Sequence, residues 1–236
     1  GGKIWPMNGL IQLAADLHPE SGNYRLKFKG DKLMVEDLLH PTHLTGLLQL
    51  SGALSRTLPQ NNTAPGLPDH ARNLSGNIKL KLVNGTIPEL GTVENLLTLL
   101  NPTTALNAQK EGLSYDYLGG DFKIVKGVVH TDNLEMKSPQ VNMNVVGKAN
   151  LVEDTVLAQV KAMPLQILDK TIKAIPLLGQ ILGGGKKGGL IEIFVKVDGK
   201  LSAPNFMPMP HKSLTEKPGN ILKGIIDLSG SLSGGK

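Results

Sequence analysis

The chain has 236 residues, a formal charge of +5 and 40% apolar residues, enough for one large domain or two small ones. It has no cysteine, which excludes disulfides and thiolate metal sites. Only 3% of it is aromatic, so a buried face must be filled by Leu, Ile, Val and Met, and no apolar run reaches the roughly 20 residues a membrane-spanning helix needs. The 28 Gly and 15 Pro fit many turns better than a helical bundle. Residues 186–236 carry eight Lys against four acids, so most of the basic excess lies there; it serves solubility first, an anionic membrane surface second. No signal peptide is visible, and the Gly-Gly start reads as that of an internal fragment.

In chain order, residues 10–17 and 24–39 read as strands, with turn chemistry at Ser21-Gly22-Asn23 and Lys29-Gly30-Asp31. Leu44–Ser55 continues as a strand, and residues 56–72, with three Pro and two adjacent Asn, read as a mobile surface loop. Ile78, Leu80 and Leu82 then alternate with Lys79 and Lys81, placing aliphatics on one face and ammonium groups on the other, before Asn84-Gly85 predicts a tight hairpin. Thr92–Leu100 predicts a short helix, capped by Thr92, favoured by Glu94 and ended by Asn101-Pro102. Four strand runs follow in 113–161; Val141, Met143 and Val145 alternate with Asn142 and Asn144. Residues 164–182 predict an apolar helix with a break at Pro176, ended by Gly183-Gly184-Gly185. Ile191, Ile193, Val195 and Val197 form the cleanest alternating strand; a Pro/Gly-rich tail follows, with a short amphipathic helix near Ile221–Leu228.

No catalytic constellation emerges. His40-x-x-His43 with Asp37 has the composition of a metal site, but Pro41 keeps the pair off a regular helix, and a solvated loop is the better reading. Asp69-His70 beside Ser75 lacks a nucleophile elbow and a rigid support. Gly183–Gly189 with Lys186 and Lys187 lacks the residue order of a phosphate loop and follows a helix instead of preceding one, so it reads as a flexible connector. The carboxylate pairs Glu153-Asp154 and Asp116/Asp121 sit at turns or polar faces, and basic residues alternate with aliphatics, so no platform for nucleic-acid stacking exists. The expectation is a non-enzymatic protein without metal or cofactor.

Several landmarks follow one another in order: Gly76–Gly85, the leucine-rich Glu94–Leu100, Gly112–Phe122, Lys126–Leu134, Ser138-Pro139, Gly147–Leu151, the apolar helix, and Val197–Pro204. Together, over 76–210, they resemble the C-terminal region of the AsmA-like family of bacterial envelope proteins, its YhdP branch most closely, with TamB a related branch. Residues 1–75 fit the strands that precede this region, and 211–236 form the tail. The resemblance implies a mainly β fold: a long, strongly bent antiparallel sheet forming a trough, or β-groove, with two or three short helical inserts. It also implies a periplasmic module of a parent protein anchored in the inner membrane, moving phospholipid between inner and outer membranes in Gram-negative outer-membrane biogenesis. Its partners would be phospholipid acyl chains, membrane surfaces at one or both ends and other envelope proteins. An aliphatic groove would recover the roughly 0.8 kcal/mol per CH₂ that acyl chains lose in water.

On this reading the groove is lined by Ile78, Leu80, Leu82, Val141, Met143, Val145, Ile191, Ile193, Val195 and Val197. The same alternation suits a second reading, a structural or partner-binding β scaffold of the envelope whose apolar face is filled by its own helices.

Overall fold

The computed structural model describes residues 2–4, 9–18, 20–38, 44–57, 71–88, 91, 93–100, 102–165 and 192–209. Eleven strands form one sheet: β1 (Gly2–Ile4), β2 (Leu10–His18), β3 (Asn23–Met34), β4 (Leu47–Arg56), β5 (Leu74–Ile87), β6 (Leu113–Val125), β7 (Val128–Lys137), β8 (Val141–Asn150), β9 (Thr155–Pro164), β10 (Ile193–Lys200) and β11 (Pro204–Met209). Strand order follows chain order from β1 to β11, and every pairing is antiparallel. The sheet is open, with β1 and β11 at its two edges. Ten inter-strand steps of about 4.8 Å make it roughly 48 Å across.

Turn chemistry sets the meander. Lys126 and Gly127 both have positive φ (49° and 81°), as a two-residue type I′ hairpin requires, and Val125 faces Val128 across them. Between β8 and β9 the Asn150 side chain accepts from the backbone N–H of Val152 and Glu153 at 2.9 and 3.1 Å. Asp154 closes that turn at φ 51° and accepts from the backbone and hydroxyl of Ser202, at 3.0 and 2.6 Å, so the β8–β9 and β10–β11 turns are tied together.

Two expected turns are strand interior. Lys29-Gly30-Asp31 lies within β3, where the register shifts between Gly30 and Leu33 and Lys32 has φ 52°; the turn-like residues build a β-bulge. Asn84-Gly85 forms no hairpin, because β5 continues to Ile87. Asn84 takes a left-handed conformation within the strand (φ 54°), and a Cβ at Gly85 would stand 2.4 Å from the Tyr115 hydroxyl oxygen. The strand expected to reach residue 39 ends at Met34 and gives way to one helical turn, α1 (Val35–Leu38).

The expected helix over 92–100 is present as α2 (Val93–Leu100), but Asn101-Pro102 does not end the helical insert. A second helix, α3 (Pro102–Glu111), starts on that proline, whose missing N–H costs nothing at a first helical position. Gln109 of α3 donates to the Glu94 carboxylate of α2. Leu96, Leu97, Leu100, Ala105 and Ala108 of these helices are buried in one cluster with Leu33, Leu48, Leu82, Met136, Met143, Ala162 and Ile193 of the sheet. A flat sheet would hold β5 and β11 about 29 Å apart. Yet α2, which follows β5 in the chain, packs on β11, and the sheet curls toward the helices. Residues 58–70 of the expected loop, most of the 164–182 helix, the Gly183–Gly189 connector and the 211–236 tail with its Ile221–Leu228 segment lie outside the described residues, as does Thr92.

At the helical end of the strands the Tyr115 hydroxyl donates to the Thr45 carbonyl at 2.6 Å, the Thr45 N–H to the Thr86 carbonyl at 3.1 Å, and the Thr86 N–H to the Thr45 hydroxyl at 3.0 Å. The residues ahead of β4 are thereby fixed to β5 and β6. Burial, and secondarily the Glu36 carboxylate, push the Tyr115 phenol up to about 12, so it remains a donor at any physiological pH. Tyr115→Phe should keep the sheet's circular dichroism and lower unfolding stability in urea by about 1 kcal/mol, the net value of one hydrogen bond. An unchanged midpoint would mean that Thr45 finds another donor at no cost.

Candidate functional site: the apolar face of the sheet

Register shows how alternation becomes a surface. Leu33, Leu48, Leu82, Leu118, Met136, Met143, Ala162 and Ile193 are successive cross-strand partners from β3 to β10, an unbroken aliphatic row. One pleat further along, Ile11, Gly30, Leu50, Leu80 and Gly120 form a row over β2–β6, and Leu134, Val145, Val160, Val195 and Pro208 one over β7–β11. The next row holds Leu13, Phe28, Gly52, Ile78 and Phe122 on one side of the sheet and Gly147, Ala158, Val197 and Phe206 on the other. Side chains two apart share a face, so these rows form one continuous apolar side.

That side is not covered evenly. The first row is the floor of the core beneath α2 and α3. Away from the helices, over β2–β6, cover thins: Leu50, Leu80, Phe28, Ile78, Leu54 and Phe122 are half-buried, Leu13 is 38% exposed and Leu17 61%. Over β9 and β10 the face stays closed, with Val160, Val195 and Val197 all buried. Gly147 shows how closely the chain packs there, since a Cβ would meet the Ala158 Cβ at 2.4 Å.

The residues expected to line a groove divide accordingly. Ile78, Leu80, Leu82, Met143, Val145, Ile193, Val195 and Val197 are brought into these rows, and Val141 continues the β8 set one pleat beyond Met143, opposite Pro164. Leu82, Val141, Met143, Ile193, Val195 and Val197 are buried against protein, whereas Ile78, Leu80 and Val145 are half-buried. Ile191 lies outside the described residues. Leu13, Phe28, Leu50, Leu54 and Phe122 share the more open part of the face; each belongs to an alternating strand, the one signal that could have found them.

Of the other candidate groups, His40, His43 and His70 fall outside the described residues, and among those described no group of three or more His, Asp or Glu is placed to hold a metal. Asp121 is taken up by Lys79 at 3.3 Å and by Asn133, and Asp154 by the Ser202 turn. On the opposite, polar face, His130 of β7 stands directly between Lys123 of β6 and Lys148 of β8. Partial burial, then Lys148, then Lys123, lower its pKa from the ordinary 6.5.

An open, curled antiparallel meander with one aliphatic face, carrying a helical insert on that face, defines a β-groove type of protein. The YhdP protein family model matches residues 32–206, well over half of the chain, and the chain belongs to that AsmA-like family of envelope proteins. No curated protein and no solved structure matches it. Among the described residues no helix is long and apolar enough to cross a membrane.

The lowered His130 pKa has a signed consequence. The unfolded chain binds the proton more readily, so this group's contribution to stability is fully present above pH 6.5. It declines as pH falls through 6.5, and stops declining once the folded histidine is itself protonated. An NMR titration should place His130 below 6.5 and move it upward in Lys148→Gln. A titration at or above 6.5 in the unaltered protein would contradict the electrostatics of this face.

Proposed function

We propose that the chain is a non-enzymatic lipid-binding, lipid-conducting groove module of an envelope-spanning protein, taking up phospholipid acyl chains on the apolar side of β2–β7. The observation that carries this reading is the gradient of cover along one aliphatic face: sealed beneath α2 and α3, half-open from Leu50 and Leu80 outward to Leu13, Phe28, Ile78 and Phe122. Among the described residues, the face continues as Leu, Ile and Phe beyond the helices that cover it, more apolar surface than solubility favours.

The chemistry suits acyl chains. A half-open aliphatic strip with few aromatics gives each methylene about 0.8 kcal/mol of shelter from water without pockets that would halt movement along it. Leu82, Met143, Ile193, Val195 and Val197 then serve as the fixed floor and wall, and Ile78, Leu80 and Val145 as contact residues. Family membership supports an envelope setting; periplasmic location, an inner-membrane anchor elsewhere in a parent protein and exchange of phospholipid with membranes at its ends belong to the same proposal.

Opposite faces of one strand provide the test. A photo-crosslinking amino acid at Ile78 or Phe122 should capture co-purifying phospholipid, detected by mass spectrometry, while the same group at Asn77 or Lys123 should not. Ile78→Asp should reduce bound lipid several-fold with the sheet's circular dichroism unchanged. Lipid-free protein with equal, background crosslinking at all four sites would sink the groove reading and favour a scaffold with a filled core.

A further inference from the structure

The polar face of the same sheet carries a concavity that the groove reading does not use. It has a volume of 560 Å³, within the roughly 300–1,000 Å³ of small-molecule sites. Its walls come from the outward-facing residues of β3–β7, including Lys29, Gln49, Ser51, Lys81 and Tyr117. Local backbone explains the hollow. The β3 bulge between Gly30 and Leu33 and the register shift between Gly119 and Lys123 of β6 stand on either side of it, and bulges bend and twist a strand away from the plane.

Its lining holds Lys29, Lys79 and Lys81 against Asp31 and Asp121, a net positive charge. Asp121 is paired with Lys79 at 3.3 Å and accepts from Asn133, and Asp31 accepts from the neutral Gln49 amide at 2.8 Å. Lys29 and Lys81 have no ion-pair partner among the described residues, and neither have Lys27, Lys123 and Lys148 on the same face around the hollow. Lys161 of β9 and Lys196 of β10 differ, since Lys161 pairs with Glu192 and Lys196 with Asp198. His130, one strand further on, has its pKa lowered by partial burial and then by Lys148 and Lys123.

We infer that this hollow is a binding site for a phosphate ester, with Lys29 and Lys81 receiving the phosphate. The two lysines sit diagonally across β4, in register with Ser51 and Gln49 respectively, so they flank the hollow from the two strands on either side of it. Donors arriving from opposite sides suit a tetrahedral dianion better than a flat carboxylate, and lysine acts as a point charge toward phosphate. The hollow is larger than a phosphate ion. The Ser51 and Tyr117 hydroxyls and the Asn133 amide make the remaining space hydrophilic, so the phosphate is carried on a polar organic group.

The source of that phosphate is either a soluble ester or a lipid headgroup, and two arms separate them. In the first, glycerol 3-phosphate is titrated into the whole protein by calorimetry. In the second, flotation is measured with vesicles of phosphatidic acid and of phosphatidylcholine. Lys29→Gln and Lys81→Gln should each weaken the productive arm roughly tenfold, the double variant should abolish it, and added salt should weaken it further. Lys196→Gln, equal in charge change but outside the hollow, should leave it within twofold. All these side chains are surface groups, so melting temperatures should stay unchanged and exclude misfolding as the cause. Binding in either arm that depends on Lys29 and Lys81 supports the site. Absence of binding in both arms, or equal losses for Lys196→Gln and the double variant, overturns it. Neither result bears on acyl-chain capture at Ile78, which lies on the other face.

Discussion

The period-two alternation of an uninterrupted antiparallel meander is the constraint on which everything else here rests. Each strand pairs only with its neighbours in the chain, so backbone hydrogen bonding is satisfied locally and says nothing about what the faces do. Side chains settle that. With one residue in two pointing each way, any apolar residue on the wrong parity would leave the aliphatic rows and enter the lysine rows. Register is accordingly strict wherever the face is sealed, as along Leu33–Ile193, and bulges appear where the chain must bend without flipping a face.

Among the described residues, α2 and α3 cap the row nearest them and form a core with Tyr115, Leu113 and Val35, and they do not cover the whole face of a sheet eleven strands wide. On β9 and β10 the face is closed, and the small residues Gly147, Ala158 and Ala162 let strands and side chains pack closely there. On β2–β6 the corresponding positions include Leu13, Phe28 and Phe122, which stay exposed or half-buried.

Much of this was legible in the residues, and the exceptions share a cause. Lysine between aliphatics in Ile78–Leu82 and asparagine between aliphatics in Val141–Val145 announce strand and face together, and the strands of 113–161 are where those patterns place them. Lys29-Gly30-Asp31 and Asn84-Gly85 misled because the left-handed or glycine conformations that make a turn also make a bulge, and only long-range pairing distinguishes the two. Pro102 misled because proline stops one helix by the same property that starts another, and α3 buries little more than Ala105 and Ala108, too weak a stripe to be seen in sequence. The depth of cover over each apolar residue was not legible, since it depends on which neighbouring strand supplies an alanine or a phenylalanine.

The two faces place different demands on the same backbone. The aliphatic side needs continuity, because an interruption in a conduit for acyl chains is a barrier to everything beyond it; a bulge there costs a contact but not the path. The polar side tolerates local features, so the bulges at Gly30 and Gly119 that curl the trough inward can at the same time hollow its outer surface. Among the described residues Lys29 and Lys81 at that hollow have no ion-pair partner, while Lys196 pairs with Asp198. A lysine left unpaired beside a concavity maintains a field that attracts an anion. The bending that makes a groove on one side therefore supplies the geometry for a second, charge-selective site on the other, with Leu50 and Leu80 bordering both.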